Sequence, residues 1–250
     1  RILIVEDNDD LRKFMTGALS RNFKVTSVSD GEKAWEAIQK ELPDLIVSDI
    51  MMPNMNGFEL CRRVKSTFET SHIPVILLSA LTGQEDELHG IIGMGADEYL
   101  TKPFDIKTLS GRITSTIKNR RLVGLRTINA TTNKEPEPQQ PVNNLNDEFV
   151  KQAIEVITSH LDNSEFDKEE FAKEMGVSTS LLFKKIKSLT GLSIVDFIKN
   201  VRMQHALTLL EDPSLSIGDI AFRCGFSTVG YFSTVFKKYF GKTPSECRKE

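Results

Sequence analysis

Asp49 follows the apolar run Leu45-Ile46-Val47-Ser48 and precedes Ile50-Met51-Met52-Pro53-Asn54-Met55-Asn56-Gly57, so one carboxylate stands between a strand-like segment and a turn. Similar junctions recur where Ile2–Val5 runs into Glu6-Asp7, where the run after Pro74 ends in Ser79, and where Leu100 gives way to Thr101-Lys102-Pro103. An Asp that merely closes a strand and opens a turn is common. Its companions decide. Three carboxylates brought within a few ångströms repel one another, and burial raises their pKa values. A divalent cation relieves the repulsion, and Mg²⁺ suits oxygen donors from one or two carboxylates plus a phosphate and waters. An aspartate beside such a cation can attack a phosphoryl donor and become an aspartyl phosphate. A serine hydroxyl and a lysine ammonium can then hold the phosphoryl oxygens, since positioning and charge neutralisation carry most of this catalysis.

These groups meet only if the chain folds so that the four junctions share an edge. Ile2–Val5, Phe23–Val28, Leu45–Ser48, Pro74–Ser79 and Ala96–Leu100 have the continuous apolar character of parallel strands buried on both faces. Helical spacing separates them. Asp9–Ser20 sets Leu11, Phe14, Met15, Ala18 and Leu19 on one side, and the helix after Asp30-Gly31 buries Ala34, Trp35 and Ile38. Further helices are expected from Phe58 to about Phe68, over Glu85–Gly93, and from Asp105 as cap to about Arg121. This alternation predicts an α/β, flavodoxin-like five-stranded parallel sheet in the order 2-1-3-4-5. In that order Glu6, Asp7, Asp49, Ser79 and Lys102 converge at the carboxyl ends of the strands.

Residues 1–121 resemble the receiver domain of bacterial response regulators through "ILIVED", "LIVSDIMMPNMNG", "ILLSA" and "DEYLTKPF". The resemblance implies Asp49 as phosphoacceptor, and Asp7 with Glu6 assisting as Mg²⁺ ligands together with Asp49 and the backbone carbonyl of Met51. It implies Ser79 and Lys102 as phosphate-binding groups and Tyr99 as the aromatic whose rotamer follows Ser79. The Lys102–Pro103 peptide is usually cis in that family. Glu6 stands where the family often has Asp. Haloacid-dehalogenase-like phosphatases also use an Asp nucleophile with Mg²⁺, but they need a second Asp two residues on, where this chain has Met51. At most, slow hydrolysis of its own aspartyl phosphate is expected.

Residues 122–146 are polar and Pro-punctuated, and read as a linker. Beyond it, a second, all-α domain is expected over 147–250. Asp147–His160 is amphipathic, and Asp167 and Ser178 each cap a helix on either side of Gly176. Ala221-Phe222-Arg223-Cys224-Gly225-Phe226-Ser227 repeats Ala172 to Ser178 at a spacing of 49, whereas Phe232, Phe236 and Gly241 match Leu182, Ile186 and Gly191 at 50. The slip implies one inserted residue between two like units, which a helix from about Ile194 to Leu210 joins. Gly176 and Gly225 are expected in the left-handed conformation. Leu182, Ile186, Leu189, Phe232, Phe236 and Tyr239 are candidate core. Thr179, Ser180, Lys184, Lys187 and Ser188 form one outward face, and Val229, Gly230, Ser233, Thr234 and Lys237 the other. Such side chains suit a DNA major groove. Residues 146–250 resemble the AraC family of DNA-binding domains, most clearly in "IGDIAFRCGFSTVGYFSTVFKKYFGKTPSECR", with Cys247 where that family usually has Tyr. The likeness implies two helix-turn-helix units entering successive major grooves, about 34 Å apart.

The net charge of −3 argues against a uniformly basic nucleic-acid binder, but the charge is segregated. Residues 146–175 carry nine Asp/Glu against three Lys, 176–209 five Lys/Arg against one Asp, and 227–242 three Lys and no acid. The three cysteines have no metal-ligand spacing, and no apolar run approaches the ~20 residues of a membrane span. The expectation is a cytoplasmic two-component transcription regulator, phosphorylated by a histidine kinase and binding a double-stranded operator, with no small-molecule substrate. Homodimerisation through the fourth helix, fifth strand and last helix of the receiver would couple the two, and RNA polymerase is a further candidate partner. The strand at residue 1 suggests a fragment, and the domain order resembles the C-terminal end of hybrid sensors. A phosphorylation-independent scaffold is the alternative.

Overall fold

The computed structural model describes residues 1–80, 95–118 and 144–248. They divide into two compact units, the first holding the sheet and the second the helical residues from Asp147 onward.

The first unit is a parallel sheet of β1 (Ile2–Val5), β2 (Val25–Val28), β3 (Leu45–Asp49), β4 (Val75–Ser79) and β5 (Glu98–Thr101), in the expected order β2-β1-β3-β4-β5. β1, β3 and β4 are buried at every position, as central strands covered on both faces must be. Helices α1 (Asp9–Leu19), α2 (Gly31–Lys40), α3 (Gly57–Ser66) and α4 (residues 106–118) accompany them. The strand side chains alternate between two cores. Leu3, Val5, Ile46, Val75 and Leu77 meet α2 and α3, while Ile2, Ile4, Leu45, Val47, Ile76 and Leu78 meet α1 and α4. Each such buried aliphatic side chain contributes about 1.5–3 kcal/mol.

Caps fix the helix starts. Asn8 accepts from the N–H groups of Asp10 and Leu11, and Asn56 forms a reciprocal capping box with Glu59. The Asp105 carboxylate accepts from Lys107 N–H at the start of α4. The stripe expected on α1 is narrower than its sequence pattern. Met15 and Leu19 are buried, but Phe14 is 58% exposed, because it sits at the edge of the apolar arc. The helix expected over Glu85–Gly93 and most of the expected linker lie outside the described residues.

From Asp147 on, the second unit holds α5 (Asn144–Ser159), which begins three residues before that expected start. It is followed by α6 (Lys168–Glu174), α7 (Thr179–Thr190), α8 (Ile194–Leu209), α9 (Ile217–Arg223), α10 (Val229–Phe240) and α11 (Pro244–Cys247). The duplication extends to the hydrogen bonds. Val177 N–H donates to Ala172 O, and Phe226 N–H to Ala221 O, both at 3.0 Å. Gly176 and Gly225 turn at φ +66° and +70°, the left-handed region glycine enters without penalty. Ser178 caps α7, but the cap of α10 is Thr228 rather than Ser227, so the inserted residue lies between Phe226 and that cap. Phe232 and Phe236 are buried with Met203, Ile220, Cys224 and Phe226.

Candidate functional site

The parallel register carries β1, β3, β4 and β5 to a common rim. Val5 pairs with Ser48, Asp49 with Leu78, and Ser79 with Thr101, so the residues that follow emerge side by side. Lys102 N–H donates to Ser79 O at 2.7 Å, tying the end of β5 to the end of β4. The Lys102–Pro103 peptide is cis. The Lys102 ammonium donates to Glu6 Oε2 at 2.9 Å and to Asp49 Oδ2 at 2.8 Å, which joins residues 53 and 96 positions away in sequence. The other Asp49 oxygen, Oδ1, accepts from Ile50 N–H at 2.7 Å. The loop after Asp49 folds back onto it. Gly57 N–H donates to Ile50 O, and a Cβ at Gly57 would stand 2.2 Å from Asp49 O. That close approach explains the glycine.

Burial differs among the acids. Glu6 and Asp49 are buried and Asp7 is exposed. Burial, with the nearby Asp49 charge, pushes the Glu6 carboxyl above its usual range despite the Lys102 hydrogen bond. Burial pushes the Lys102 ammonium down, but the hydrogen bonds to Asp49 and Glu6 outweigh it, and the net shift is upward. Oxygen atoms of Glu6, Asp7 and Asp49 all lie within 4.8 Å of one another. Cis oxygen ligands of Mg²⁺ are about 3 Å apart and trans ligands about 4.2 Å, from metal–oxygen distances near 2.1 Å. The all-oxygen donor set and its spacing fit that hard cation, and one ammonium leaves the three carboxylates with excess negative charge.

The remaining predicted groups lie on β4, on β5 and in the loop after β3. Ser79 is buried at the end of β4, and the Leu77–Tyr99 and Ser79–Thr101 pairings put Tyr99 on the face Ser79 uses. Tyr99 packs against the core beside α3, where burial raises its hydroxyl pKa. The Met51 side chain is 73% exposed. Sequence reasoning missed the Lys65 ammonium, buried and bonded to Asp97 Oδ2 at 2.6 Å and to Ile73 O at 2.8 Å. Asp97 Oδ2 also accepts from Val75 N–H, so this pair braces the start of β4.

The helical faces are thinner in free charge than the sequence suggests. Of the basic residues in 176–209, Lys185 and Arg202 are buried, and Lys187 donates to Gly191 O at 2.9 Å, capping its own helix. Lys199 lies over the Tyr231 ring. In α10, Lys237 and Lys238 are exposed, as are Val229, Gly230 and Thr234, with Ser233 half-buried. In α7, Ser180 is exposed and Thr179, Lys184 and Ser188 are half-buried. As expected, Leu182, Ile186, Phe232 and Phe236 are core, with Leu189 and Tyr239 partly covered.

A five-stranded parallel sheet in this order, with an aspartate, two further acids and a lysine at its carboxyl rim, is the architecture of a receiver domain, here joined in one chain to paired helix-turn-helix units. The chain carries a receiver domain and a helix-turn-helix domain. Residues 2–114 match the response regulator receiver domain and residues 171–250 a helix-turn-helix domain of the AraC type. It is 36% identical over 98% of its length to "Histidine kinase P4" of Formosa agariphila, of which it spans 18%. The receiver domain of a signal transduction histidine kinase from Syntrophus aciditrophicus is 33% identical, at a TM-score of 0.44 over 47% of this chain and 89% of that one. The C-terminal domain of AraT, a response regulator from Geobacillus stearothermophilus, is 36% identical, at a TM-score of 0.38 over 40% of this chain and 84% of that one.

Proposed function

We propose that this chain is a two-component transcription regulator in which a phosphoryl group on Asp49 controls sequence-specific DNA binding by the helical domain. The observation that carries the reading is the Lys102 ammonium shared between Asp49 and Glu6 at the sheet rim. In the proposed reaction an Asp49 carboxylate oxygen attacks the phosphorus of a histidine kinase's phosphohistidine. The P–N bond breaks, and its electron pair leaves with the imidazole. Lys102, which donates to the nucleophile, would take one phosphoryl oxygen, and the Ser79 hydroxyl would take another. Glu6, Asp7 and Asp49, with the Met51 carbonyl, would hold Mg²⁺, which supplies charge neutralisation at the phosphoryl oxygens when bound.

Movement of Ser79 toward the phosphoryl group and repacking of Tyr99 would then remodel the adjoining surface. Homodimerisation there would put two DNA modules on adjacent half-sites, gaining affinity through effective concentration. The chain acts as a phosphoacceptor rather than an enzyme, with at most slow autodephosphorylation. Its relation to a histidine kinase that it matches over 18% of that protein's length favours the output end of a hybrid sensor. Any kinase activity would then reside elsewhere in the same polypeptide. Among the described residues no helix is long and apolar enough to cross a membrane, and a cytoplasmic position is part of this proposal. Incubation with acetyl phosphate and Mg²⁺ should add about 80 Da, the mass of HPO₃, at Asp49 and tighten operator binding. A phosphorylation-independent scaffold would show neither the adduct nor beryllofluoride binding.

A further inference from the structure

Phe183 lies on α7 with 47% of its surface exposed. It stands three residues after Ser180 and four before Lys187, so it shares their face of the helix. The fold does not require a phenyl ring there. Leu182 and Ile186 fill the core side of α7 and are fully buried, and alanine is the better helix former at an exposed position. Thr179 and Ser180, four and three residues before the ring on the same face of α7, carry hydroxyls, groups that complement phosphates and base edges rather than an apolar protein surface.

The second helix-turn-helix has no ring at the matching position. The caps Ser178 and Thr228, and the terminal glycines Gly191 and Gly241, align α7 with α10 at an offset of 50. That offset places Ser233 at the position of Phe183, Gly230 at Ser180 and Thr234 at Lys184. At this one position α7 therefore presents an aromatic ring and α10 a hydroxyl, the exposed Tyr231 and Val229 of α10 lying at other positions of the helix. Base edges in the major groove offer one apolar group, the thymine 5-methyl. Building on the DNA-binding reading above, we infer that Phe183 reads sequence, selecting thymine by apolar contact with that methyl. The methyl it reads then lies in the half-site under α7.

The test is selection from a random duplex library by the full chain, its Phe183→Ala variant and its Phe183→Leu variant. Wild type should enrich thymine at one position of a half-site. Phe183→Ala should lose that preference by about fourfold, the worth of one buried methyl, and keep the other positions. Phe183→Leu should retain part of it. Replacing the thymine by uracil, which lacks only the methyl, should weaken wild type by the same factor and leave Phe183→Ala unchanged. An Ala variant that enriches the wild-type sequence, or a uracil penalty equal in both proteins, overturns the inference and leaves the DNA-binding reading standing. A wild-type chain that enriches no sequence overturns both.

Discussion

The two units carry their chemistry in opposite ways. In the receiver, Glu6, Asp49 and Lys102 come from three distant segments, are largely withdrawn from water and are bonded to one another within 3 Å. In the helical unit, the outward residues of α7 and α10 come from short contiguous stretches, lie near or at the surface, and appear twice. The first arrangement makes each group indispensable to its neighbours, because a buried charge without its partner is costly. The second spreads affinity over many small contacts, each replaceable. On the function proposed above, the chain has one switch and a distributed reader.

The largest test of that contrast is Asp49→Ala, which should abolish the ~80 Da adduct entirely. Single alanine substitutions on α7 or α10 should instead weaken specific binding by factors of about 5–150, the span of 1–3 kcal/mol. An outward residue of α10 whose loss eliminated binding altogether would break the comparison. Next comes a contrast inside the helical unit. Both Gly176→Ala and Gly225→Ala meet positive-φ strain of about 1–2 kcal/mol. A Cβ at Gly225 would in addition stand 2.4 Å from Leu161 O and 2.8 Å from the Arg202 guanidinium, whereas at Gly176 nothing lies within 4 Å. Chemical denaturation should therefore show Gly225→Ala as the worse by about 2 kcal/mol or more.

A third measurement separates two buried carboxylates of the receiver. Asp30 is buried, yet hydrogen bonds from Lys33 N–H, the Lys33 ammonium and the Ser29 hydroxyl outweigh burial and lower its pKa to about 2. A depressed carboxyl stabilises above its unfolded pKa of 3.8 and loses that contribution as pH falls through about 2. Asp30→Ala should cost about 1–2 kcal/mol at pH 7 by urea unfolding, with the difference from wild type shrinking as the pH falls toward 2. Glu6 has the opposite sign. Its raised pKa favours folding below the unfolded value, and that advantage fades as pH rises through the folded one. Glu6→Gln should accordingly flatten the loss of stability on going from acid to neutral pH. The smallest effect is on salt dependence. Lys237→Ala should reduce the slope of log affinity against log salt by about 1, and Lys187→Ala by less, because its ammonium is engaged at Gly191 O.

Much of the receiver was legible because parallel strands impose their own geometry. Once Ile2–Val5, Leu45–Ser48, the run after Pro74 and Ala96–Leu100 are strands of one sheet, their ends must share a rim. The convergence of Glu6, Asp49 and Lys102 follows from topology, not from any local pattern. The outward residues of α7 and α10 were harder. Helical periodicity assigns Lys187 to an outward face, but not whether its ammonium reaches solvent or bends back to the helix end. Nor does it distinguish the exposed Phe14 from the buried Met15 beside it. Phe183 escaped for the related reason that an aromatic residue in an amphipathic helix suggests core. Lys65 and Asp97 are 32 positions apart, and nothing local in either residue announces the pair.

The extra residue ahead of Thr228 has a practical consequence for anyone exchanging the two readers. Each residue advances an α-helix by about 100°. A graft of α7 into the place of α10, aligned on Gly176 and Gly225, would rotate every outward side chain by more than a quarter turn. Aligned on Ser178 and Thr228, the same graft keeps its azimuth. Modular swapping of specificity in this chain therefore depends on counting from the hydroxyl, not from the bend.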